Sequence, residues 1–300
     1  MKTARLGVLL LIPAALTTAS ARGDETLRWK FTKGEKLTYR MVQKTESRPE
    51  PGTPIPATTM TQTLDMTWEV KDVSPAGNAA MDQTVDRIVF EMKGNPGGDI
   101  RFDTGRAEKA EGTAAMLEPL FRGMVGSPIG LTMTARGEIK DVKIPAKMID
   151  ALKSVPNAAA AGGMLTEEGF KSMTSQASLV LPARPVAKGF KWDDTKHVDL
   201  PFGRMNMKMT YTYDGPTGPD DRIASSVAVD LEPKEGQPFT VKIADQEGKG
   251  SFRFDNKAGL LKGSEMNQRL KMEIKAGDQQ IVQTVVTTVT MDLTGSPSSK

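Results

Sequence analysis

The chain has 300 residues, 26% of them charged in nearly balanced signs, a formal charge of +3 and no cysteine. The missing cysteine excludes disulfides, thiolate metal sites, a cysteine nucleophile and a lipid-anchoring cysteine. With three Trp and three Tyr and no basic stripe between them, the sequence offers single-stranded nucleic acid nothing to stack on.

Lys2 and Arg5 form a basic start, Leu6 to Leu16 is an apolar run, and Ala19-Ser20-Ala21 is a small-x-small cleavage pattern. Residues 1–21 are therefore expected to be a signal peptide, whose loss leaves about +1 on the mature chain. No stretch approaches the roughly 20 apolar residues of a transmembrane helix. The protein reads as exported, periplasmic or extracellular, and soluble.

Along the mature chain the dominant period is two. Leu27, Trp29 and Phe31 alternate with polar residues, as do Leu37, Tyr39 and Met41 beyond the Lys33-Gly34 turn, which predicts a hairpin. Residues 46–58 hold four prolines and a glycine and are expected to be a solvated loop. Met60, Leu64, Met66, Trp68 and Val70 then share one face with Gln62, opposite a polar face, as in an antiparallel sheet with one side buried. In residues 79–92 the apolar phase switches between Val85 and Ile88, the mark of a β-bulge. Residues 113–125 change period: Met116, Leu117, Leu120, Phe121, Met124 and Val125 fall at helical spacing. Pro145 opens a second helix, residues 165–173 form a third, and residues 157–163 are a low-complexity joint.

The stretch Leu181 to Asp194 restarts the pattern of Trp29 to Arg40, with a second Lys-Gly turn at Lys188-Gly189. Met209-Thr210-Tyr211 echoes Met66-Thr67-Trp68, Val229-Asp230 echoes Val85-Asp86, and Arg253-Phe254-Asp255 echoes Arg101-Phe102-Asp103. Period-two strands continue through Phe239 to Ile243, Phe252 to Phe254, Leu270 to Ile274 and Ile281 to Leu293. The expected fold is mainly β: antiparallel sheets in two related lobes with a few helices between them. Residues 22–143 form the N-terminal lobe with the helix 113–125, 144–180 a helical connector, 181–294 the C-terminal lobe, and 295–300 a disordered tail. Periodicity leaves open two sandwiches or one curved sheet.

Chemistry is sparse. His197, the one histidine, follows Asp193 and Asp194, but no G-x-S-x-G elbow completes a triad, and solvated charges on a surface strand explain the three residues. One imidazole without thiolates is too few ligands for zinc, and the acidic turns match no calcium loop. No catalytic residue, metal site or cofactor is expected. Met205, Met207 and Met209 could offer thioethers to Cu(I), yet same-face side chains on a strand stand about 7 Å apart. Core filling is the plainer use of methionine. The candidate ligand-binding residues are these three with Trp68 and Tyr211. Arg22-Gly23-Asp24 matches an adhesion tripeptide by three residues alone.

Trp29 to Tyr39, Leu181 to Trp192 and Phe252 to Leu261 together resemble a family of exported bacterial β-rich proteins of unknown function, lipoprotein-like but here without the anchoring cysteine. The resemblance implies an exported, mainly β protein and carries over no catalytic residue. The expected function is non-enzymatic: a cell-envelope protein binding an apolar ligand, a lipid or acyl chain, or a protein partner. An envelope hydrolase using carboxylates, and the Cu(I) reading of the methionines, are the alternatives.

Overall fold

The computed structural model describes residues 25–296, apart from 54, 108–109, 111–112, 155–165, 176–177, 201, 235 and 238. The expected signal peptide, the tripeptide at 22–24, the joint at 157–163 and the last four residues lie outside the described residues.

Among the described residues three helices and twelve strands follow in chain order. The first half holds β1 (Lys36–Pro49), β2 (Thr58–Val73), β3 (Ala79–Lys93), β4 (Ile100–Asp103), α1 (Thr113–Met124), β5 (Ile129–Met133) and β6 (Ile139–Lys143). Then come α2 (Ala146–Lys153) and α3 (Glu167–Ser175). The second half is β7 (Lys191–Leu200), β8 (Gly203–Thr217), β9 (Asp220–Pro233), β10 (Thr240–Asp255), β11 (Leu260–Ala276) and β12 (Gln279–Gly295). All twelve strands form one antiparallel sheet, ordered β6-β5-β3-β2-β1-β12-β11-β10-β9-β8-β7, with β4 also on β3. The choice between two sandwiches and one sheet thus falls to one sheet, joined at its middle by the first and last long strands. Gly295 pairs with Thr38 there.

The sheet is strongly curled. Both edge strands, β6 and β7, touch α3, so the two edges are brought within a helix's width of each other. Register shifts interrupt the β1–β12, β2–β3, β5–β6, β8–β9 and β10–β11 ladders, and each bulge adds local twist. One is the predicted phase switch: Asp65 pairs with Arg87 and Met66 with Val85, which leaves Asp86 as the extra residue. Neighbouring strands also approach closely at Gly248 and Gly250 on β10. A Cβ on Gly248 would stand 2.7 Å from the carbonyl oxygen of Val227, and one on Gly250 would stand 2.8 Å from that of Glu265. Only glycine admits such approach of neighbouring strands.

Curling places both halves in one core. Leu37, Tyr39, Trp68, Val70, Met81, Leu131 and Met133 pack in the same buried cluster as Tyr211, Tyr213, Ile223, Phe252, Phe254 and Leu261. These residues all lie at one rim of the sheet, and the rim is plugged. Leu27, Trp29, Leu179, Leu181 and Val186, none of them in a sheet strand, are fully buried in the cluster. Trp29 N donates to Ala135 O, Lys30 N to Gly259 O and Leu181 N to Arg136 O. Residues 27–32 are therefore not the first strand of the expected hairpin. Their alternation is real, but their backbone groups are taken by two hairpin turns from opposite halves of the sheet.

Other expectations shift in the same way. The proline-rich loop is shorter than 46–58, because β1 runs to Pro49 and β2 begins at Thr58; Pro49, the last residue of β1, pairs with Gln283. The separate strands expected at 239–243 and 252–254 are one strand, β10. Helix α1 buries Ala114 and Phe121, with Leu117 and Met124 half-buried beside them. Met116 is 51% exposed, off the stripe that its spacing suggested. The two Lys-Gly turns are built alike: Gly34 N donates to Val70 O and Val70 N to Glu35 O, while Gly189 N donates to Tyr213 O and Tyr213 N to Phe190 O. The other echoes differ in place. Val85 faces Met66, whereas Val229 faces Met207. Arg101 to Asp103 pair with the end of β3, and Arg253 and Phe254 with the start of β9.

Candidate functional site

Residues directly opposite in antiparallel strands share a face, so the register assigns the concave face beyond the packed rim. Across β2, β1, β12 and β11 the rows are Gln62-Gln43-Val289-Met266, then Met60-Thr45-Thr287-Gln268, then Thr58-Ser47-Val285-Leu270. The next row is Pro49-Gln283-Met272, and Ile281 pairs with Ile274 at the end. Every one of these side chains is half-buried and none is charged. The convex face of the same strands carries Lys44, Glu46 and Arg48 on β1 and Arg269, Lys271 and Glu273 on β11. The result is an uncharged trough of Met, Val, Leu, Gln and Thr. Helix α1 stands over its β2–β4 side, with Phe121 centred 5.6 Å from both Phe90 and Phe102.

The far side of the trough is split. Strands β9 and β10 pair only from Asp221–Phe254 to Ser226–Lys249 and then part. Where they part, Gln246 stands in for the missing strand: Val229 N donates to its Oε1 at 2.6 Å, and its Nε2 donates to Val229 O at 2.9 Å. Ser225 Oγ and Gln268 Nε2, two buried polar atoms beside this fork, have no hydrogen-bond partner.

The residues singled out by sequence lie mostly at the packed rim. Trp68, Met209 and Tyr211 are buried in the main cluster, with Met205 and Met207 half-buried against it. Tyr211 OH donates to Met209 Sδ at 3.4 Å, and Trp68 lies across the core against Tyr39 at 4.8 Å. The β8–β9 ladder is regular from Gly203 to Tyr213, so the three thioethers keep strand spacing, about 7 Å. His197 and Asp193 are exposed, and Asp193 accepts from Thr210 Oγ1 at 2.7 Å. Asp194 is not on that wet face. It points inward beside Lys196, whose Nζ is 3.7 Å from Asp194 Oδ2 and donates to Ser178 O at 2.8 Å. Burial lowers the Lys196 pKa against the pull of Asp194.

Carboxylates approach each other at the plugged rim. Tyr213 OH lies 2.7 Å from Asp221 Oδ1 and 3.4 Å from Glu25 Oε2; burial, then Asp221, raises the phenol's pKa. A cleft of about 220 Å³ beside it is lined by Asp220, Asp221, Arg222, Ser251 and Arg253. Its charges are matched: Arg253 meets Asp220 and Asp292, and Arg222 meets Asp214. Among the described residues no cluster of His, Cys, Asp and Glu could hold a metal ion.

The model of a family of unknown function, DUF6263, matches residues 76–261, from within the β2–β3 turn to the start of β11. This chain belongs to that family. No curated protein matches the DUF6263 chain. Among solved structures it is similar to lipovitellin, from a study of lipid-protein interactions in lipovitellin, at 10% identity and a TM-score of 0.48. That match covers 90% of this chain and 26% of the other, so the DUF6263 chain spans about a quarter of lipovitellin's length. It is also similar to an outer membrane channel from Pseudomonas putida F1, at 6% identity and a TM-score of 0.26, over 88% of this chain and 97% of that one. Among the described residues no helix is long and apolar enough to cross a membrane.

The trough's polar members were the part that sequence reasoning missed. Gln62 had been seen on the apolar face of β2, but Gln43, Thr45, Gln268 and Thr287 draw attention only once the register puts them side by side.

Proposed function

We propose that the trough holds a long apolar ligand, an acyl chain, and that the protein is a non-enzymatic carrier or binding protein of the cell envelope. The observation that supports this is the concave face of β2, β1, β12 and β11, uncharged and half-exposed from Gln43 to Ile281 while the same sheet is sealed at its other rim. Gln43 to Pro49 span six strand steps, about 20 Å at about 3.3 Å each. That exceeds the roughly 15 Å of hydrocarbon in one leaflet of a bilayer, so a whole acyl chain fits along one strand. Burying ten methylenes would contribute about 8 kcal/mol before the costs of association. Methionine, flexible and polarisable, suits a surface that must fit more than one chain. Export rests on Lys2, Arg5, Leu6 to Leu16 and Ala19 to Ala21. The matched turns at Gly34 and Gly189 favour an origin of the two halves by duplication, with the boundary in the helical stretch before Leu181.

The test is titration of the purified chain with an uncharged fluorescent long-chain probe, beside a Val289→Lys variant. Wild type should bind saturably in the micromolar range. The lysine, set at a half-exposed position on β12, one of the trough's two middle strands, should weaken binding by about tenfold or more with the melting temperature unchanged. Absence of saturable binding by folded wild type would overturn the proposal.

A further inference from the structure

The acyl-chain reading leaves the polar members of the trough unexplained, and one of them is unusual. Gln268 sits on the concave face of β11 with Thr287 opposite on β12 and Gly248 opposite on β10. Its Nε2 is buried and unpartnered. The hydroxyls nearest in the row are engaged with each other, Thr45 Oγ1 lying 3.2 Å from Thr287 Oγ1. On the other side Gly248 has no side chain to offer, and Gly248 is where β9 and β10 begin to part. An amide donor left unmet in a buried position is costly, and a hydrocarbon site has no use for one.

Resting on that reading, we propose that Gln268 recognises the ester of an acyl lipid, its Nε2 donating a hydrogen bond to the ester carbonyl. The acyl chain then runs along β11 and β12 away from the packed rim, over Leu270, Val285 and Met272, and the alcohol part of the ester points to the fork between β9 and β10. Met266, one row away on the same face of β11, is half-buried, and methionine re-packs at little cost. The ligand class is thereby narrowed from any apolar chain to a neutral acyl ester. A free fatty carboxylate would bring a charge into a face that carries no cation among the rows described.

The experiment competes methyl palmitate and heptadecane, chains of similar length that differ by the ester, against a fluorescent chain probe on the full chain. Wild type should prefer the ester by about fivefold, the worth of one hydrogen bond. Gln268→Leu should erase that preference. The infrared band of a carbonyl-labelled ester bound to wild type should lie at lower frequency than when bound to Gln268→Leu. Equal affinity of the two ligands for wild type, or a preference that survives in Gln268→Leu, overturns the assignment while leaving the acyl-chain reading in place. If wild type displaces the probe with neither ligand, both fall. The wild-type comparison of the two ligands needs no variant to fold.

Discussion

The two ends of the concave face are built from the same strands with the same alternation, yet they are finished differently. At the rim where β1, β9 and β11 begin and β2, β8 and β10 end, aromatic and branched side chains meet from both halves, and Trp29 and Leu181 are driven in as a plug. Trp29 stands 5.4 Å from Phe254 and 6.4 Å from Trp68, and its indole donates to Leu179 O. Toward the other rim of β2, β1, β12 and β11 the inward positions go mostly to Met, Gln, Thr and Val, and from the Gln43 row onward each stays half-exposed. A curled sheet of this size encloses more inner surface than its own side chains close over. The plug supplies the stability, which frees the remaining inner face from having to be core.

The largest effect that would break this comparison comes from exchanging burial for a cavity on each side. Trp29 is 2% exposed, and Trp29→Ala should cost about 3–5 kcal/mol. Met266→Ala, in the trough, should cost about 1 kcal/mol, because a half-exposed side chain loses little burial. Urea denaturation of both variants measures the difference. Equal losses would mean that the trough is packed core.

A second experiment addresses the close approach of strands at Gly250 on β10. A Cβ on Gly250 would lie 2.7 Å from Ser225 Oγ as well as against Glu265 O, so Gly250→Ala should destabilise by about 1–3 kcal/mol through overpacking. Ser251→Ala, the next residue and on the convex face, should stay within about 0.5 kcal/mol. The same pair tests whether curvature shapes the trough: Gly250→Ala should weaken long-chain probe binding, and Ser251→Ala should not.

Much of this was legible in the chain. Period two gave the strands, the phase switch at Val85 to Ile88 gave the bulge at Asp86, and helical spacing placed α1 and Pro145. Gln62 on an apolar face was a visible sign of a face that is not ordinary core. What stayed hidden is non-local. Leu27 to Phe31 alternate as a strand does, and only contacts with Ala135 and Gly259, more than a hundred residues away, make them a plug. The trough likewise exists only because β1 pairs with β12, a pairing across some 250 residues that periodicity cannot announce. Trp68 and Tyr211 are bulky aromatics that serve the sealed rim, whereas the open face is marked by the interleaving of Gln and Thr with Met.

The smallest effect concerns the part of the inner face that α1 covers, which lies between the two extremes: roofed, but by a separate element and not by the plug. Strand β4 holds the roof's anchor, since Phe121 of α1 rests on Phe102. Its clip is outside, where Arg87 donates to Asp103 from Nε at 2.9 Å and from an η nitrogen at 2.7 Å, and Gly105 N adds a third bond. Arg87, foremost, holds the Asp103 carboxyl down to about 2. A depressed carboxylate stabilises the fold at pH values above its unfolded pKa, and that stability is lost as pH falls from about 4 through about 2. With Arg87 nearly half exposed, solvent screening limits the contribution to about 1 kcal/mol. Acid should therefore loosen β4 and α1 ahead of the plugged rim, seen as faster amide exchange in residues 100–103 and 114–124 than in β8 over that window. Asp103→Asn should show the faster exchange already at neutral pH and lose the pH dependence, and uniform exchange across all three regions would count against α1 being a separately anchored roof.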